Sequence, residues 1–193
     1  FSAANVAGVA ALVLDQSDGF RNYNAEEVKS AIVNAARDVA VVNGQTRTTV
    51  FDKNINTGTL EQAYNVAMGG GEVQARWAFD SFVTMSPQTL DFGEVDNDRL
   101  AAGIALTIRI KNVFNQTLRF TFERDPYDDD ADQASPVTWT LPGAIDVPSG
   151  QSRDVTFRLG GTTPSAKDFY DGVILVKGSG DSSANIPDVK IPY

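Results

Sequence analysis

The chain has 193 residues, with 16 basic and 25 acidic side chains, a formal charge of −9, and neither histidine nor cysteine. These residues therefore hold no Cys-type zinc site, no disulfide, no thiol nucleophile and no imidazole base, and any Ser–His chemistry must take its base from elsewhere. The acidic balance opposes attachment to phosphate backbones, so nucleic acid is not an expected partner. The longest apolar run, Val6 to Leu14, is far short of the ~20 residues of a membrane helix, and no membrane span is expected.

The sequence opens at Phe1 with no initiator Met and no basic segment ahead of a signal-like stretch, and we expect a piece of a longer polypeptide. Phe1 to about Gln16 reads as a first helix. Apart from Asn5 it has no polar face, and a helix apolar all round must be buried all round. The helix over Ala25–Ala36 is the clearest, because Asn24 and Glu27 form a capping box and Glu26 and Glu27 lie against the positive end of the dipole. Its apolar face is Val28, Ala31, Ile32, Ala35 and Ala36.

Val39–Phe51 carries Asn43-Gly44 between two apolar β-prone stretches, a hairpin signal. A third helix is predicted over Leu60–Met68, ended by Gly69-Gly70-Gly71 as a flexible exit, after which Glu72–Phe82 carries the chain across to a different segment. Two further short helices and a hairpin cannot enclose the first helix, so residues 1–83 read as one end of a larger domain.

From Met85 onward the period falls to two. Ile104, Leu106, Ile108 and Ile110 alternate with polar residues, as do Leu118, Phe120 and Phe122, and Val155, Phe157 and Leu159. Shorter runs at Thr89–Phe92, Val137–Leu141, Val173–Val176 and Val189–Tyr193 bring the total to about seven short strands, which describe an immunoglobulin-like sandwich over 84–193. Phe120, Phe122, Phe157 and Trp139 fall on the alternating apolar sets and read as core.

Phe1-Ser2-Ala3-Ala4-Asn5-Val6-Ala7-Gly8-Val9-Ala10-Ala11-Leu12 resembles the stretch that follows the nucleophile in subtilisin-like serine proteases. Val6-Ala7-Gly8 and Ala10-Ala11-Leu12 match, while Ala4 and Asn5 replace the usual Pro and His. Ala25–Ala36 is similar to the family's next helix, and Thr57-Gly58-Thr59-Leu60-Glu61-Gln62-Ala63-Tyr64 to its closing motif. Residues 84–193 resemble the fibronectin type III-like domain that follows the catalytic domain in many large subtilases, at Ser86-Pro87-x-x-Leu90-x-Phe92-Gly93, Val147-Pro148-Ser149-Gly150 and Tyr170-x-Gly172-x-Ile174-x-Val176.

The resemblance implies the C-terminal segment of an α/β subtilase catalytic domain, mostly helical here (1–83), followed by an all-β immunoglobulin or fibronectin III-like sandwich (84–193). It implies a secreted serine endopeptidase that hydrolyses peptide bonds through an acyl-enzyme, with the nucleophilic Ser just before Phe1 and the rest of the triad farther upstream. No catalytic residue then lies in this chain, which alone is inactive. Its partners are the upstream remainder of the catalytic domain and a protein or peptide substrate. Ser2 lacks a base and a preceding Gly-Thr, and reads as a small helix-start residue beside the site.

No cofactor is required by this reading, although calcium remains open. Asp125-Pro126-Tyr127-Asp128-Asp129-Asp130-Ala131-Asp132 clusters carboxylates, with Asp128, Asp130 and Asp132 the candidate ligands. The run lacks the Gly and distal Glu of an EF-hand, and as a charge run between strands it reads equally as a solvated loop. Asn115-Gln116-Thr117 has the form of a glycosylation sequon or a plain turn. Two other functions fit the same residues: a non-catalytic adhesion or sorting module, and a subtilase-like pseudoenzyme.

Overall fold

The computed structural model describes residues 2–15, 22–37, 40–42, 45–47, 60–62, 71–124, 136–163, 171–180 and 186–193. Helix α1 spans Ser2–Asp15 and α2 spans Ala25–Asn34. The predicted capping box is present: Asn24 Oδ1 accepts from Glu27 N–H at 2.9 Å, and Glu27 Oε2 accepts from Asn24 N–H at 2.9 Å. Ala35, expected inside α2, is instead its C-cap.

A small sheet follows, in the order β2-β1-β3, from β1 (Ala40–Val42), β2 (Gln45–Arg47) and β3 (Leu60–Gln62). β1 and β2 pair antiparallel on either side of Asn43-Gly44, with Val42 opposite Gln45, so the second strand is Gln45–Arg47 and not Thr48–Phe51, the expected second stretch, which lies outside the described residues. Leu60–Gln62, expected to open a helix, pairs antiparallel with β1 instead, Val42 opposite Leu60. The long-range ladder to β1 overrides the local helical signal at these residues. Residues 63–68 of that predicted helix, with Gly69 and Gly70, lie outside the described residues.

Gly71 is no flexible exit. Its φ is +101°, and a Cβ there would stand 2.1 Å from Arg37 O. Only glycine permits the bridge that follows, in which Arg37 N–H donates to Glu72 O at 2.8 Å and Glu72 N–H to Arg37 O at 2.7 Å. The segment read as a plain connection contains α3 (Ala75–Phe79). Its Trp77 ring carries the Arg37 guanidinium at 3.9 Å. Val9 and Val13 of α1, Val28, Ala31 and Ile32 of α2, and Ala78 of α3 make one apolar cluster, which Val113 also enters.

The remainder is a β-sandwich. One sheet has the order β4-β5-β9-β7, from Val83–Ser86, Ile104–Asn112, Ser152–Gly161 and Val137–Thr140. The other has the order β11-β10-β6-β8, from Val189–Pro192, Val173–Ser179, Leu118–Arg124 and Ile145–Val147. All pairings are antiparallel. The two antiparallel sheets make the β-sandwich expected over 84–193, and both contribute to one apolar core.

The period-two pattern decides the faces. In β5, Ile108 and Ile110 are buried while Thr107 and Arg109 face water; in β9, Val155, Phe157 and Leu159 are buried between exposed neighbours. Phe120 and Phe157 are fully enclosed, and Phe122 and Trp139 are partly buried against the same core. The Phe122 and Phe157 rings meet edge to face at 5.6 Å.

Thr89–Phe92, expected as a strand, is not one. Pro87 supplies no N–H to a ladder, and Asp91 Oδ1 accepts from Gly93 N–H at 2.8 Å, closing an Asx turn around Gly93 at φ +64°. The strand at this edge is β4, just before Pro87, and a short helix α4 (Asn97–Ala102), capped by Asp96, leads into β5.

Candidate functional site

The residues that carry the sequence motif lie on α1, and its two sides differ sharply. Val13 is fully buried and Val9 nearly so, whereas Val6, Leu12 and Leu14 are 38%, 51% and 53% exposed. Ala3, Ala4, Ala7, Gly8 and Ala11 are exposed as well. The helix expected to be buried all round is thus buried along one side, against α2 and α3. Its other side is a strip of small and aliphatic residues in water, the kind of contiguous apolar surface that marks an interaction site.

Ser2 opens α1, whose first turn contains no acidic residue. The first four N–H groups of such a helix have no partner within it and carry partial positive charge, which suits an anion at the helix start. Phe1, the first residue of the motif, lies outside the described residues. With no histidine in the chain, no triad is assembled from these side chains.

The calcium candidates Asp128, Asp130 and Asp132 also lie outside the described residues. Among the described residues, no three His, Cys, Asp or Glu side chains are grouped to hold a metal ion, and no helix is long and apolar enough to cross a membrane. Asn115 is exposed in the turn between β5 and β6.

Among the described residues, the ionisable groups with shifted values are on the sandwich. Hydrogen bonds from Arg109 hold the Asp154 carboxyl below its ordinary value and raise the guanidinium in return. The Lys177 ammonium is raised chiefly by its hydrogen bond to Glu123. Burial pushes the Asp188 carboxyl up, against the pull of Lys177.

Sequence reasoning passed over a second polar constellation. Ser30 and Asn34, one turn apart on α2, are both buried. Ser30 Oγ donates to Asn34 Oδ1 at 2.8 Å and accepts from Met85 N–H at 2.6 Å. Asn34 Nδ2 donates to Gln88 O and to Lys190 O, each at 2.8 Å. The signal was the i, i+4 spacing of two polar residues beside the apolar stripe of a short helix.

No protein-family model and no curated protein matches the chain. Among solved structures, the chain is similar over 58% of its length to a FixG-related protein from Vibrio parahaemolyticus, covering 94% of that chain at 16% identity with a TM-score of 0.38. It is similar over 58% of its length to WR4, an MSP family member from C. elegans, covering 95% of that chain at 10% identity with a TM-score of 0.37. The YadV chaperone is similar over 57% of this chain and 49% of its own, at 17% identity with a TM-score of 0.37.

Proposed function

We propose that this chain is the C-terminal portion of a secreted subtilisin-like serine endopeptidase, with α1 the helix that follows the catalytic serine. One observation carries the reading: a helix whose sequence resembles the family's post-nucleophile motif leaves its small-residue side, with Val6, Leu12 and Leu14, uncovered by the described residues. That strip is the contact surface for the upstream part of the catalytic domain, which supplies the nucleophile, the Asp and the His. The start of α1 then contributes N–H groups and dipole field close to the developing oxyanion, and its small side chains let the helix end approach its base.

A fluorophosphonate probe applied to the intact parent assembly, followed by peptide mass spectrometry, tests this. The expected adduct is on a serine immediately before Phe1. An intact assembly that carries a Ser–His–Asp set yet takes no label at that position refutes the proposal and leaves a pseudoenzyme. A second reading has its own support in the packing of α2 on the sandwich, which suits a free-standing adhesion or sorting module. Sedimentation of the chain alone separates the two, because a monodisperse monomer over a wide concentration range favours the module and self-association through an apolar strip favours the portion of a larger domain.

A further inference from the structure

We infer that helix α2 is the missing side wall of the β-sandwich, so that residues 22–37 and the two sheets form a single cooperative unit riveted at Asn34. This stands apart from any protease reading, because it rests only on contacts within the chain.

The sandwich has an open side. β4 ends one sheet and β11 ends the other, and α2 packs against both strands. Edge strands present unpaired N–H and C=O groups that a protein must cover or pair. Here the side chains of α2 provide the partners. Ser30 Oγ takes the Met85 N–H on the outer edge of β4. The two amide hydrogens of Asn34 are divided between the sheets, one going to Gln88 O just past β4 and the other to Lys190 O within β11.

Asparagine suits this position because a single planar NH2 donates twice while its carbonyl oxygen accepts from Ser30. Aspartate has the shape but no donor, and alanine removes both donated hydrogen bonds. Around this rivet, Lys111 of β5 pairs with Glu27, and Gln88 Nε2 donates to Glu26 Oε2 at 3.1 Å. Leu90 N–H donates to Pro192 O at 2.9 Å, tying the segment after β4 to the end of β11 on the same side. Val113 at the end of β5 enters the helical cluster. Apolar and polar contacts therefore cross together, and the helix closes the sandwich as an extra wall.

The test is hydrogen exchange with mass spectrometry on the full chain and on its Asn34→Ala and Asn34→Asp variants, comparing peptides from α2 with those from β5 and β9. In the unsubstituted chain, the slowest amides of α2 and of the two central strands should open with the same urea dependence. Each substitution should speed exchange in all three by a common factor of about 10 to 100, matching the loss of buried donors. A variant too unstable to fold should lose protection in β5 and β9 together with α2. Accelerated exchange confined to α2, with β5 and β9 protected as in the unsubstituted chain, overturns the inference. Unchanged exchange in all three peptides overturns it equally.

Discussion

The two sides of α1 make a quantitative prediction through adjacent residues. Val13 is fully buried in the helical cluster, and Leu12 beside it is 51% exposed. Val13→Ala removes two buried carbons, worth about 0.8 kcal/mol each on transfer, and leaves a cavity, so the chain should lose about 2–3 kcal/mol. Leu12→Ala removes three carbons that are already half in water and leaves no cavity. Its cost should be about 1 kcal/mol at most, offset by a few tenths from the better helix propensity of alanine. Urea unfolding followed by circular dichroism reads the difference directly. With a slope near 2 kcal/mol/M, Val13→Ala should lower the midpoint by about 1 M and Leu12→Ala by less than about 0.5 M. If an upstream segment covers this strip as proposed, the two losses should become similar in its presence, because Leu12 is then buried as well. Equal losses in the isolated chain would refute the reasoning, since they would mean that the outer side of α1 is already packed within these residues.

Two further substitutions test local features. Gly71→Ala should cost about 2–3 kcal/mol, because it places a Cβ 2.1 Å from Arg37 O at a φ of +101°; a thermal melt that matches the parent chain contradicts this. Arg109→Ala should let the Asp154 carboxyl rise towards its ordinary value, read by NMR titration. Since the folded-state value of Asp154 lies below the unfolded one, the pair's contribution exists above the unfolded value and disappears as pH falls through the folded one. The pair is exposed, so solvent screening should leave the melting point at neutral pH unchanged.

Much of the sandwich was legible because burial on one face writes a period of two directly into the sequence, as at Ile108 and Ile110 or Val155, Phe157 and Leu159. The capping box of α2 was equally plain, since its two hydrogen bonds lie within four consecutive residues. What failed had two causes. Leu60–Gln62 becomes a strand because β1 pairs with it, a long-range contact, whereas Thr89–Phe92 fails to become one because of local turn chemistry, Pro87 and the Asp91 turn. The role of Asn34 was illegible because its partner is remote: Lys190, whose carbonyl it meets, is 156 positions away in the chain. The α1 strip was legible in composition, whereas the division of its residues between a buried and an exposed side required the packing of α2 and α3.

Gly8 sharpens the argument about that strip. It lies within the fourteen-residue helix α1, where glycine costs about 1 kcal/mol relative to alanine. A Cβ built at Gly8 meets no atom within 4 Å, and the residue is exposed. Gly71 and Gly161 are different, since a Cβ at either would collide with backbone at 2.1 or 2.0 Å. Those two glycines are explained by their surroundings, and Gly8 is not explained by any described residue. A helix-weakening residue without a local reason, set among Ala4, Ala7 and Ala11 on the uncovered side, fits a surface shaped for close backbone approach. Large aliphatic residues stand at other exposed positions of the same helix, Val6, Leu12 and Leu14. The exposed side of α1 therefore combines small residues that permit close backbone approach with aliphatic side chains that would gain from being covered.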